Sequence, residues 1–290
     1  MSVSAIHPDH SIKGGLLVLA STAFFALSGV FTKIIERDAW TILGWRGLVG
    51  GLLVLGYVVA AQRRSHRPVS LHLGRRGLIL AAASALAGAL FVASFKYTSV
   101  AVVVVIYATV PFFAAGIAWL WLKERAHART LLAAGLCVAG VGITVAGNVG
   151  AGTLGGALVS LAATIACAIY LVLVRRFHDA PAVWASGVAA LLLTCPALVF
   201  GDYSAISGPD AALMSLFGLS YAAAIITWTE GARMIPSAEA GLIGAVEIPL
   251  AAVFAAFLLG ELPTLATLIG GLIVLGAVFG HSAIDYRRKV

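Results

Sequence analysis

Residues 130–174 make up 45 consecutive positions without one charged side chain. A soluble fold has no use for such a stretch, but the hydrocarbon core of a bilayer requires runs of about 20 mostly apolar residues. The stretch is too long for one run, and Gly147-Asn148-Val149-Gly150-Ala151-Gly152 supplies a turn in its middle. It therefore reads as two spans. The same length rule along the whole chain predicts ten: 14–35, 40–61, 77–96, 99–122, 129–147, 153–174, 182–200, 211–231, 237–259 and 263–282. Composition agrees, with 61% hydrophobic residues and only 11% charged, where soluble domains carry about 25% charged residues. The first span follows Lys13 and is too long for the apolar core of a cleavable signal. The expectation is an all-α, multi-pass protein of the inner membrane.

The net charge of +7 does not indicate nucleic acid, because the basic residues sit in short loops and form no continuous patch. Their distribution instead sets orientation. With the N-terminus inside, the cytoplasmic segments hold 15 of the 19 Lys and Arg: Lys13, Arg63, Arg64, Arg67, Arg75, Arg76, Lys123, Arg125, Arg129, Arg175, Arg176, Arg233, Arg287, Arg288 and Lys289. The outer side holds 3, namely Lys33, Arg37 and Lys96, while Arg46 falls inside the second span. That asymmetry predicts both termini in the cytoplasm.

The two halves repeat. Ser99 precedes Pro111 by 12 residues, and Ser237 precedes Pro249 by the same 12, so one offset of 138 superposes both pairs. An apolar run follows each proline and ends in Lys123-Glu124 or Gly260-Glu261. Gly14-Gly15 and Gly155-Gly156 begin the first span of each half. This divides the chain into repeats 1–147 and 148–290 with five spans each. An odd count sends the second copy into the membrane from the opposite side, which is the inverted-repeat plan of secondary transporters with a substrate site near the midplane.

The segments SFKYTSVAVVVVIYATVPFFAAGIAWLWLKER (94–125) and EAGLIGAVEIPLAAVFAAFLLGELP (239–263) resemble the fourth and ninth helices of the EamA family in the drug/metabolite transporter superfamily. The resemblance extends over nearly the whole chain. Among members of the family the likeness is to YddG-type exporters of aromatic and other amino acids, on overall similarity rather than a diagnostic motif. The first copy departs from the pattern with Lys123 where glycine is usual, and it has no glutamate before its proline. The resemblance implies a central cavity lined by the first, third, fourth, sixth, eighth and ninth spans, with the fifth and tenth at the edges.

Glu247 lies ten positions into the ninth span, about 15 Å deep. A carboxyl there is costly and by default marks function or a buried partner. Pro249 frees the carbonyl of Ala245, so Glu247 is either a transport group or the neutral donor that holds a kinked helix. The offset sets Thr109 opposite Glu247, and Tyr107 and Thr109 read as substrate hydrogen-bonding groups or as ordinary interhelical bonds. Phe24 and Ser28 share a face of the first span. Phe91 on the third and Trp228 on the eighth join them as cavity walls, or as core and lipid packing. Pro111 and Pro249 are the helix-breaking pair. Trp40, Trp45, Trp119 and Trp121 near span ends read as interfacial anchors. Arg46 is left three roles: a substrate carboxylate, pairing with Glu36 or Asp38, or snorkelling to the outer headgroups. Glu230, Glu239 and His281 lie near the cytoplasmic face, and Glu124 and Glu261 end helices as structural residues.

Cys137, Cys167 and Cys195 all fall in apolar runs with no CxxC and no histidine cluster, so neither disulfide nor metal is predicted. No Walker motif, GxSxG or HExxH is present, so no cofactor is expected and ATP-driven pumping is not. The partners are a small-molecule substrate and the bilayer. Gly47-x3-Gly51 and Gly276-x3-Gly280 leave the oligomeric state open. The expected function is secondary transport, exporting amino acids or related metabolites. A multidrug exporter and a membrane-embedded lipid-modifying enzyme are the alternatives; a lone glutamate at depth argues against the enzyme.

Overall fold

A computed structural model of the chain describes residues 8–65, 71–123, 128–147, 153–204, 206–235 and 237–287. Of the features read above, Arg67, Glu124, Arg125, residues 148–152 and residues 288–290 lie outside the described residues, as do the side chains of Arg129, Ser237, His281 and Arg287. Every regular element described is a helix: α1 (Pro8–Ile34), α2 (Ala39–Arg64), α3 (Gly74–Tyr97), α4 (Val100–Tyr107), α5 (Val110–Leu122), α6 (Ala128–Ala146), α7 (Thr153–Arg176), α8 (Ala182–Phe200), α9 (Gly208–Ala232), α10 (Ser237–Gly244), α11 (Glu247–Leu259) and α12 (Leu265–Arg287). The pairs α4/α5 and α10/α11 each occupy one predicted span, so the twelve segments make ten helices. By length and composition seven stretches can cross a membrane, α4 and α5 counting as one; the apolar parts of α6, α11 and α12 are shorter.

The helices run past the apolar windows at several ends. Thus α3 starts at Gly74, α9 at Gly208 and α12 continues to Arg287. The apolar window marks only what lipid touches, while caps set where the helix stops. Ser207 and Asp210 form a reciprocal capping box that starts α9 outside its apolar run. Asp38 starts α2 by accepting the amide hydrogens of Trp40 and Thr41. At the other end of the repeat unit, α5 and α11 both finish on a left-handed residue, Lys123 at φ 57° and Gly260 at φ 65°. Glycine takes that conformation freely and lysine does not. The departure from the family pattern therefore changes the side chain and keeps the turn.

The packing pairs trade places when the halves are exchanged. Helix α1 packs on α9, and its counterpart α7 packs on α3. Likewise α2 meets α9 as α8 meets α3, α1 meets α11 as α7 meets α5, and α1 meets α10 as α7 meets α4. Two contacts join an element to its own counterpart: α2 with α8, and α6 with α12. The first is glycine-driven. A Cβ on Gly47 would stand 2.3 Å from the Ala190 carbonyl oxygen, and one on Gly51 would stand 2.6 Å from Leu191. Gly47-x3-Gly51 thus serves internal packing, whereas Gly276 and Gly280 face open space.

Polar ties hold the ends of the bundle. Glu261 accepts the Val100 amide hydrogen at 2.9 Å, at the positive end of α4, and pairs with Lys33 at 3.6 Å. Arg37 pairs with Asp210 at 2.7 Å and Lys96 donates to the Ile35 carbonyl at 2.7 Å. The three basic residues read as external therefore gather at one end. At the other, Arg76 meets Asp179 at 2.7 Å and Tyr57 donates to Glu230 at 2.7 Å. Trp119 and Trp121 are exposed. Trp45 turns inward and donates to Ser215 at 2.9 Å.

Candidate functional site

The site begins with two interrupted helices. Pro111 and Pro249 have no amide hydrogen to give to Tyr107 and Ala245, four residues before them. Helix α4 stops at Tyr107, and α10 stops at Gly244, three residues before Glu247 opens α11. The segments match in length, 8 and 13 residues in each half. At the first break the Thr109 hydroxyl and amide both donate to the Ile106 carbonyl, at 2.6 and 3.1 Å. At the second the Ile248 amide donates to the Ala245 carbonyl at 3.3 Å. That carbonyl has an amide partner, so the kink does not require a proton from Glu247. The breaks are neighbours: Ala108 from the first and Ala245 and Ile248 from the second pack in one apolar cluster.

Around the breaks stand several of the residues singled out from sequence. The Phe91 ring lies 4.7 Å from that of Tyr107 and 4.8 Å from that of Phe95. The Tyr107 hydroxyl lies 3.1 Å from Cys167 Sγ. Glu247 is half-buried, close enough to Tyr107 and Cys167 to act on them electrostatically, and has no hydrogen bond or ion pair among the described residues. The Trp228 ring covers Gly244, where a Cβ would stand 2.9 Å from it. Phe24 is half-buried and Ser28 buried on α1, which crosses α9, α10 and α11; the Phe24 carbonyl accepts from Ser220 at 3.1 Å. Thr109 is buried with its hydroxyl committed to the break. Pro111 is exposed and Pro249 half-buried.

The structure adds residues that sequence reasoning passed over. Tyr170 lies 3.2 Å from Ser186 Oγ, and Tyr221 donates to the Ser186 carbonyl at 3.0 Å. Cys167 and Tyr170 share a face of α7 at i,i+3, a spacing visible in the sequence. Their partners on α8 and α9 are not visible there. A separate cavity of about 370 Å³, lined by Ile12, Gly15, Leu16, Leu19, Glu239, Ile243 and Val246, lies between α1 and α10. Its α1 wall of Ile12, Leu16 and Leu19 is exposed on the outside of the bundle, and it reaches the second break at Val246. It is a lateral groove.

The sequence pattern of the EamA-like transporter family matches residues 12–146 and, a second time, residues 154–283. A solved crystal structure of another protein has the same fold, with TM-score 0.66 over 97% of this chain and 99% of that one, at 16% identity. No curated protein matches.

Proposed function

The chain belongs to the EamA-like transporter family, a family of membrane transporters for small solutes, and from that premise we propose that it is a secondary transporter exporting amino acids, larger apolar and aromatic ones among them, across the inner membrane. The two halves, 1–147 and 148–290, act as inverted repeats with both termini cytoplasmic. They rock against each other about a site at the paired helix breaks.

One observation carries this reading: aromatic rings and a carboxyl with no partner among the described residues meet where two helices are interrupted. Phe91, Tyr107 and Trp228 offer faces to an apolar side chain, with Phe24 and Ser28 on the adjoining helix. Glu247 offers an acceptor that no described residue uses. Small-molecule sites have this make-up, mostly apolar with a few placed polar groups. Thr109 holds the break and supports the site from behind.

The test is counterflow of labelled amino acids in proteoliposomes of the purified chain. Saturable exchange of phenylalanine or a similar amino acid, chemically unchanged, is the expected result. Flux of lipophilic cations with neither flux nor competition by any amino acid assigns the chain to drug export. A chemically altered solute or lipid would make it an enzyme.

A further inference from the structure

Arg46 sits on α2 and is only 6% exposed. Its guanidinium carbon lies 5.0 Å from the Phe217 ring centroid and 4.7 Å from that of Tyr221, over both ring faces. Its Nε is sealed from solvent without an acceptor. No hydrogen bond or ion pair to its side chain is found among the described residues. Asp38 caps α2 with its carboxylate, and Glu36 is exposed. Two of the roles left open by sequence therefore fall away: Arg46 neither snorkels nor pairs with these acids.

An unpaired cation at depth is costly, and such residues mark substrate or ion pathways. The two ring faces attract the charge but cannot accept its N–H groups, which need oxygen acceptors in the guanidinium plane. A carboxylate supplies two such oxygens at the right spacing. On α3, Gly88 faces the guanidinium without a side chain: a Cβ there would stand 3.7 Å from a terminal guanidinium nitrogen, with no other described side chain within 4 Å of it. No other Lys or Arg lies so deep in a span. The charge thus fits one carboxylate better than a phosphate dianion. A series of polar contacts leads from it to the residues described above. Tyr221, Ser186 and Tyr170 carry polar groups across α9, α8 and α7, and Cys167 and Tyr107 lead on towards Glu247.

We propose that Arg46 binds the carboxylate of the transported solute, with the Phe217 and Tyr221 rings holding its guanidinium in place. This rests on the transporter reading and narrows its substrate to solutes with a single carboxylate.

Thermal unfolding of the purified full chain in detergent tests it, with 3-phenylpropionate and the uncharged 3-phenylpropionamide as probes. The carboxylate should raise the Tm of the wild type and the amide should not. Arg46→Gln should abolish that shift, and so should Gly88→Val, which fills the space before the guanidinium and leaves the arginine intact. In proteoliposomes Arg46→Gln should slow phenylalanine counterflow about tenfold or more, with partial rescue by Arg46→Lys. Equal response of the wild type to acid and amide, or to neither, overturns the proposal. So does a carboxylate shift that survives Gly88→Val, which decides the matter alone if Arg46→Gln does not fold. A wild type that shows the shift but moves no amino acid upholds the carboxylate site and overturns the amino-acid reading.

Discussion

At the residue scale the membrane makes charge informative. Glu247 was legible because a carboxyl ten residues into an apolar run has no cheap explanation. What the sequence left open was its partner, and the Ala245 carbonyl already accepts the Ile248 amide hydrogen. Glu247→Gln should express normally yet slow transport about tenfold, the worth of one hydrogen bond to a charged group; normal flux in proteoliposomes would return Glu247 to packing. Arg46 was half legible: its depth could be counted, but the rings beneath it come from α9, far along the chain. Asp38 gives a test at the bundle end. Partial burial pushes its carboxyl up, but the Thr41 hydroxyl and the amides of Thr41, Asp202 and Trp40 outweigh this and hold it below its ordinary value. A lowered value means that the carboxylate stabilises the fold above the unfolded value of about 3.9 and ceases to do so as pH falls through the folded value. Asp38→Asn should therefore melt below the wild type at neutral pH, with the gap closing in acid.

At the scale of elements, the ten runs were readable because lipid demands length and apolarity with little tolerance. Both prolines were readable too. The breaks were not placed by them alone: Pro111 leaves the Tyr107 carbonyl without its amide, whereas Thr109 bonds the Ile106 carbonyl one residue earlier. The partner of Trp45 was hidden for a similar reason: proximity to a span end does not reveal a Ser215 across the bundle. The two GxxxG spacings look alike in sequence and differ in space. Gly47→Leu should destabilise the fold by about 1–3 kcal/mol through overpacking against α8. Gly276→Leu should leave the Tm of the monomer unchanged, because nothing lies within 4 Å of a Cβ there. Parallel melts in detergent separate the two.

For the whole molecule, orientation was inferred from loop charge, and accessibility can check it. Single cysteines introduced between residues 63 and 76, in a background lacking Cys137, Cys167 and Cys195, should react with an impermeant thiol reagent only in inverted vesicles. Labelling in intact cells would turn the topology over. The exchange of packing pairs between the halves was legible only in outline, from the offset of 138 that joins the serines and prolines. Which helices would meet could not be read from a one-dimensional spacing.

Two of those meetings have a particular character. Where α2 lies on α8 and α6 on α12, each element touches its own counterpart. A surface that pairs with a copy of itself about a two-fold axis is the kind that builds homodimers. The join between the halves is thus made by helix faces. Such a surface would let a five-helix unit assemble with a second copy of itself, and Glu247 in one half against Thr109 in the other is the kind of difference that two joined copies are free to carry.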